Sequence, residues 1–305
     1  MIRRPAGRCR IDAVKPEVAE FQRIDEHIDR ANRIALADPI IKAFHPAPQH
    51  GIAKAKFLGH RPDRATARSH EIDRLPLTVT TNALRSFPNV EHVLMVGIAG
   101  GCPNPAKPDE HVRLGDIVFS SHAGIIEYDF VKETREGRQI RSSPQRPSAR
   151  LLQAASQLAT RALMREQPWE PILSHAMVKL GDKFGRPPTS EDALYEGEEV
   201  VPHPSGDERD NLPRIHSGVI GTADTLLKND TTRNQLRDQF NVRAVEMEAS
   251  GLQNAAWSHG KDVFVVRGIC DYCDEHKNDV WQNYAALVAA AYTRALIEEM
   301  PIEWF

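Results

Sequence analysis

Apolar positions change their period several times along the chain. Val18, Phe21, Ile24, Ile28, Ala31 and Ala35 recur at helical spacing and the run stops at Asp38-Pro39. That pattern predicts an amphipathic helix, ended by the restriction proline places on the residue before it. Leu151, Ala155, Leu158 and Ala162 predict a second helix, with Ser148 as its N-cap after Pro147. Asp230 is placed to cap a third helix running to about residue 240, and a last helix holds Trp281, Ala285, Val288, Tyr292 and Leu296 on one stripe. Short β-branched runs at 93–98, 116–120, 215–220 and 263–269 read as buried strands, with a weaker strand at 11–14. Strands and helices alternate, so the expected fold is α/β and layered, with helices on both faces of a sheet. In such folds ligands sit at the carboxyl ends of the strands.

Composition narrows the class. Of 305 residues 41% are hydrophobic and 27% charged, which excludes disordered, collagen-like and coiled-coil chains. A net charge of −3 gives no general attraction to nucleic acid or an anionic membrane. The longest apolar runs, 93–98 and 285–292, fall short of the ~20 residues a bilayer span needs. Arg3, Arg4, Arg8 and Arg10 precede no apolar signal core, and Cys9, Cys102, Cys270 and Cys273 form no secreted disulfide framework. The expected location is the cytoplasm, with free thiols. Proline-bearing stretches at 102–111 and 185–213 read as loops, the second as an insertion, and the basic stretch 138–150 as a connection. With no flexible linker, one domain over 1–305 is expected.

The residues just beyond each strand are the candidates for chemistry. Ala99-Gly100-Gly101 closes the first, where glycine permits positive φ and close approach of a flat ligand. No GxGxxG or GxxxxGK[ST] occurs, which leaves dinucleotide and P-loop phosphate binding unsupported. Glu246-Met247-Glu248 lies where a strand turns into a helix; Glu248 suits either a helical first turn or a grip on vicinal hydroxyls, with Met247 against a sugar. The run 263–269 ends in Arg267-Gly268-Ile269-Cys270-Asp271, a charged pair that is costly to bury unless paired or used. Cys270-Asp-Tyr-Cys273 lacks a second ligand pair and no histidine spacing completes it, so no metal is expected and the cysteines read as packing residues.

Taken in order, VGIAGG (96–101), LGDIV (114–118), VEMEASGL (245–252) and VVRGICDYCDEHKN (265–278) resemble the nucleoside phosphorylase and nucleosidase superfamily. That group includes purine and uridine phosphorylases and methylthioadenosine/S-adenosylhomocysteine nucleosidases. IEYDF (126–130), GRPP with EDALY (185–195) and WQNYAA (281–286) resemble more closely the phosphorylase-like domains of fungal NOD-like immune proteins and their bacterial defence relatives. The likeness covers about residues 90–301. It implies a three-layer α/β/α fold around a mixed, strongly twisted sheet, with an atypical segment 1–89 and the insertion 185–213.

The resemblance also implies chemistry. Asp271 matches the aspartate that protonates the purine at N7, and Glu248 the glutamate that binds ribose hydroxyls beside a developing oxocarbenium ion. A carboxyl raised by partial burial is the expected acid. Arg267 matches the arginine near the nucleophile, orienting water through a carboxylate or touching an anion. Ile98, Ala99, Gly100, Met247 and Glu246 line the substrate, and Leu226 takes the base-stacking place with Tyr128 or Phe130 as an aromatic partner. Glu17, in the turn after 11–14, is the matching water activator, although the front of the chain departs from the family pattern. Arg113, Lys132, Lys183, Arg186 and Lys228 are unassigned cations for a nucleotide's phosphates.

The implied activity is hydrolysis of the N-glycosidic bond of an adenine nucleoside or nucleotide, ATP included, to free base and sugar or sugar phosphate, in immune or antiphage defence. A phosphate-dependent phosphorylase and a non-catalytic nucleotide sensor are the rival readings. No cofactor is expected beyond water or phosphate as co-substrate, with a divalent metal only alongside a nucleotide. A homo-oligomer and a regulatory partner protein are expected; nucleic acid and membrane are not.

Overall fold

The computed structural model describes residues 34–37, 74–135, 137–141, 146–205 and 212–300. Six strands form the central sheet: β1 (Ile34–Ala37), β2 (His92–Gly101), β3 (Ile117–Glu127), β8 (Ile215–Thr222), β9 (Val242–Glu246) and β10 (Asp262–Asp271), in the order β1-β2-β10-β3-β8-β9. All pairs are parallel except β10 with β3 and a short closing contact of β9 with β2. The sheet is therefore mixed, and its last strand returns to its second at Gly100↔Val245.

Helices cover both faces. The helix α6 (Gln282–Glu299) packs on β10, β2 and β3, backed by α2 (Ala149–Leu163) and α3 (Trp169–Leu180). Opposite it α5 (Ala249–Ser258) packs on β10, β2 and β3, backed by α1 (Arg74–Ser86). α4 (Asp230–Phe240) lies against β9. This is the expected three-layer α/β/α architecture. Apolar side chains occupy nearly every turn of α6, as a helix buried all round requires. Trp281, Ala285, Val288, Tyr292 and Leu296 are all fully buried, as their stripe predicts. Closeness to the sheet is set at Gly268: a Cβ there would lie 1.9 Å from the Ala285 carbonyl oxygen.

Local chemistry sets the helix starts. The Ser148 hydroxyl accepts from the Leu151 N–H at α2, as expected. At α4 the cap is Asn229, whose side-chain oxygen accepts from Thr232 N at 2.7 Å; Asp230, expected there, is the first helical residue. Asp230 instead accepts from the N–H groups of Gly197 and Thr231.

Several other expectations change. Ile34–Ala37 is a strand paired with His92–Met95 rather than the last turn of a helix. A four-residue apolar run fits either period, and sheet pairing decides it. The rest of that predicted helix, the strand at 11–14 and Glu17 lie outside the described residues. The stretch 185–213 is more than loop. It contains a hairpin of β6 (Leu194–Glu196) and β7 (Glu199–Val201), turned at Gly197 with φ 59°. The basic connection at 138–150 begins as β5 (Gly137–Ile140), paired with β4 (Val131–Thr134). Strand β2 continues through both glycines, neither of which has positive φ.

Candidate active site

Three strand ends meet at Gly100. Asp271 of β10 pairs with it on one side after a register shift at Ile269, and Val245 of β9 pairs with it on the other. A Cβ at Gly100 would lie 2.2 Å from the Cys273 sulfur and 2.7 Å from Asp271 Oδ1. The glycine is required by this close approach, not by backbone conformation. Gly100 thus lies against the Asp271 carboxylate, while Ile98 and Ala99 pair with Gly268 and Ile269.

Asp271 is 4% exposed. Its Oδ1 accepts from the Cys273 N–H at 3.0 Å, and its Oδ2 receives the Lys277 ammonium at 2.7 Å and the Cys270 thiol at 3.2 Å. Burial of the carboxylate is as expected; the lysine is not, because its approach depends on the path of a loop.

Four residues earlier on β10, Arg267 is buried. Its Nη2 lies 2.5 Å from Glu246 Oε2, 4.0 Å from Glu248 Oε2 and 3.1 Å from the Met95 sulfur. Glu246 also accepts from the backbone N–H groups of Glu248 and Ala249, so it caps α5 while neutralising the arginine. Of the two glutamates, Glu246 is committed to protein groups; the Glu248 side chain is 47% exposed at the helix start. Met247 between them is half-buried.

The aromatic candidates separate. Phe130 is 51% exposed, with the Arg141 guanidinium 5.6 Å from its ring centre, and Leu226 is 50% exposed. Tyr128 instead packs in a satellite core with Cys102, Val245 and Cys273, where burial pushes its hydroxyl above the ordinary phenol range. The buried Tyr128 and Thr222 hydroxyls and Arg267 Nε have no protein partner among the described residues. Such atoms call for water or ligand. Of the unassigned cations, Arg113 is paired with Asp192 at 2.6 Å and Arg186 lies over the Trp281 and Tyr284 rings.

Sequence reasoning also missed a network that holds the inserted stretch to the strand ends. Asp192 accepts from the Tyr272 hydroxyl at 2.5 Å and from Arg113 Nε at 2.8 Å, while His203 bridges the Asp192 carbonyl and His111. Tyr195 stacks on His276 with ring centres 3.8 Å apart. The EDALY and HKN segments contain Asp192, Tyr195, His276 and Lys277, but nothing in their spacing joins them. A cavity of about 340 Å³ lined by Ser120, Arg146, Trp257 and Asp262 opens at the amino end of β10, away from these groups. Among the described residues, no cluster of three or more His, Cys, Asp or Glu is arranged to hold a metal ion. None of the described helices is long and apolar enough to cross a membrane.

The fold and the charged groups at its strand ends define an α/β protein with a site at the carboxyl edge of a mixed sheet. The profile of the phosphorylase superfamily matches residues 73–298, and the chain belongs to that family. The match starts ahead of α1, earlier than the likeness read from motifs. An NLR-like protein of the fungus Hyaloscypha variabilis is 35% identical over 230 residues, 70% of this chain but 22% of that one. The chain thus spans about a fifth of the fungal relative. A 5'-methylthioadenosine/S-adenosylhomocysteine nucleosidase of Mycobacterium bovis is 25% identical, covering 69% of this chain and 70% of the relative. Among solved structures, futalosine hydrolase of Helicobacter pylori aligns at 17% identity and TM-score 0.49, over 74% of this chain and 76% of that one.

Proposed function

We propose that the protein is a nucleosidase that hydrolyses the N-glycosidic bond of an adenine nucleoside or nucleotide, ATP included. The observation that carries the reading is the burial of Arg267 and Asp271 on β10, with Glu248 brought to 4.0 Å of the arginine at the start of α5 and Gly100 against the acid. A purine leaves readily only when a proton reaches it as the C1′–N9 bond breaks, and Asp271 is the group assigned to deliver it. Glu248 holds the ribose hydroxyls, and its charge stabilises the cationic sugar more as the bond lengthens. Arg267 fixes Glu246 and, through it, the start of α5 that presents Glu248. Met247 packs under the sugar, and Ile98, Ala99 and Gly100 pass beside sugar and base. Glu17 is the water activator in this scheme.

The nucleosidases among the curated relatives support hydrolysis. The likeness to an NLR-like protein supports an immune role; an antiphage function, a homo-oligomer, a triggering partner and a cytoplasmic location complete the proposal. We assign the whole chain to one domain, within which the family match begins at residue 73.

Incubation with ATP, adenosine and inosine, with and without phosphate, followed by chromatography of the products, tests this. Free base without phosphate is expected. Arg267 Nε, buried with no partner among the described residues, favours one second reading, in which an anion is the nucleophile. Ribose 1-phosphate formed only when phosphate is present would establish that reading instead. Tight adenine-nucleotide binding with no base release over hours would make the protein a sensor.

A further inference from the structure

The Asp271 carboxylate is surrounded by donors. The Cys273 N–H, the Cys270 thiol and the Lys277 ammonium face its two oxygens. These three groups approach as donors, the Lys277 ammonium being the nearest at 2.7 Å. The nearest transferable proton therefore resides on Lys277.

Lys277 is held there by its surroundings. Its Nζ is 2.7 Å from Asp271 Oδ2, and its side chain is only 20% exposed. Burial works against its charge, but the adjoining carboxylate more than offsets this and raises the ammonium above the ordinary lysine value. The loop that delivers it is pinned at both ends: the Tyr272 hydroxyl bonds Asp192, and His276 stacks on Tyr195 and contacts the Gly197 carbonyl.

We propose that Lys277 is a positioning residue that orients the Asp271 carboxylate and supplies the proton which Asp271 passes to the purine. This rests on the nucleosidase reading. As the C1′–N9 bond breaks, its electron pair moves into the purine. A proton passes from Nζ to Oδ2, and the carboxyl so formed gives that proton to N7. Water forms the new bond to C1′ and loses a proton, which restores the ammonium, so atoms and charge balance.

Other ionisable groups around the pair are Cys270, Cys273, Cys102, Arg233, Asp274, His276 and Asp279. They are common to the wild type and to Lys277 variants, and so cancel in a comparison of pH profiles.

The experiment measures base release by the full chain as wild type, Lys277→Met and Lys277→Arg, from about pH 5 to pH 9. With Met, kcat is expected to fall about 10²-fold at the alkaline end while KM changes little. The deficit should shrink as pH falls, because solvent then supplies the proton that the lysine no longer does. Arginine should keep the geometry without a readily lost proton: KM stays near the wild-type value, and the alkaline deficit persists. An equal loss in Lys277→Met at every pH would make the lysine merely structural, and wild-type rates in that variant would remove it from the reaction. If wild type itself releases no base, the nucleosidase reading fails first and this inference falls with it.

Discussion

Glu246 Oε2 lies 2.5 Å from Arg267 Nη2, while the same carboxylate accepts from the N–H groups of Glu248 and Ala249. One buried side chain thus neutralises a buried cation and fixes the first turn of α5. Replacing Glu246 by alanine strips the carboxylate from Arg267, a change that typically costs about 3–5 kcal/mol. Glu248→Ala removes a half-exposed group and should cost little stability. Thermal melts and base-release kinetics on both variants are expected to dissociate: a large drop in Tm for Glu246→Ala, and a loss of turnover at near-normal Tm for Glu248→Ala. The reverse order would exchange the roles assigned to the two glutamates.

The particular residues explain how much of this was legible. β2, β3, β8 and β10 announce themselves because each contains a short apolar stretch with β-branched residues, and Asp271 and Arg267 stand out as charges at the end of such a stretch. Glu246 and Glu248 are equally visible, but which one is buried depends on where β9 stops and α5 starts. The β6–β7 hairpin has only three residues in each strand, and its signal is Gly197 between two strand-like triplets. Lys277 and Asp192 acquire their partners through loop paths and across sequence separations that no local period encodes. Ile34–Ala37 reads as helix because its apolar residues continue the spacing of the segment before it.

Two glycines separate stability from activity. At Gly268 an alanine methyl would collide with the Ala285 backbone, which cannot yield without moving α6 from the sheet. Overpacking of this kind costs about 1–3 kcal/mol or more, so Gly268→Ala should lower Tm sharply. At Gly100 the methyl meets the Cys273 sulfur and Asp271 Oδ1. The expected result for Gly100→Ala is a displaced carboxylate, with kcat reduced beyond what its Tm explains. Full activity in Gly100→Ala would separate Asp271 from the chemistry.

Cys102, Cys270 and Cys273 are buried, free thiols. Desolvation pushes Cys102 up to about 12 and holds the other two well above the ordinary thiol value. Since the thiolate is the reactive form, iodoacetamide at neutral pH should leave all three unmodified in the folded chain and label them after denaturation. Peptide mass mapping reads this directly. Rapid native labelling of Cys270 or Cys273 would mean that the loop carrying Lys277 opens readily.

The anchor of the inserted stretch predicts an acid-sensitive stability. Burial alone would raise Asp192, but hydrogen bonds from His203 and Tyr272 and the charge of Arg113 outweigh it, leaving its pKa below the ordinary 3.8. A carboxyl depressed in the folded state stabilises fully above its unfolded pKa and loses that contribution as pH falls through the lower, folded value. Asp192→Asn keeps the shape but removes the charge, at a cost of about 1–3 kcal/mol where the charged hydrogen bonds are lost. The difference between wild type and Asp192→Asn in urea melts should therefore be constant from neutral pH down to about pH 5 and shrink below about pH 4. Tyr272→Phe removes one donor and should give a smaller difference with the same acid dependence. A gap between wild type and Asp192→Asn that widens in acid would mean that Asp192 is not the ionised anchor of this stretch.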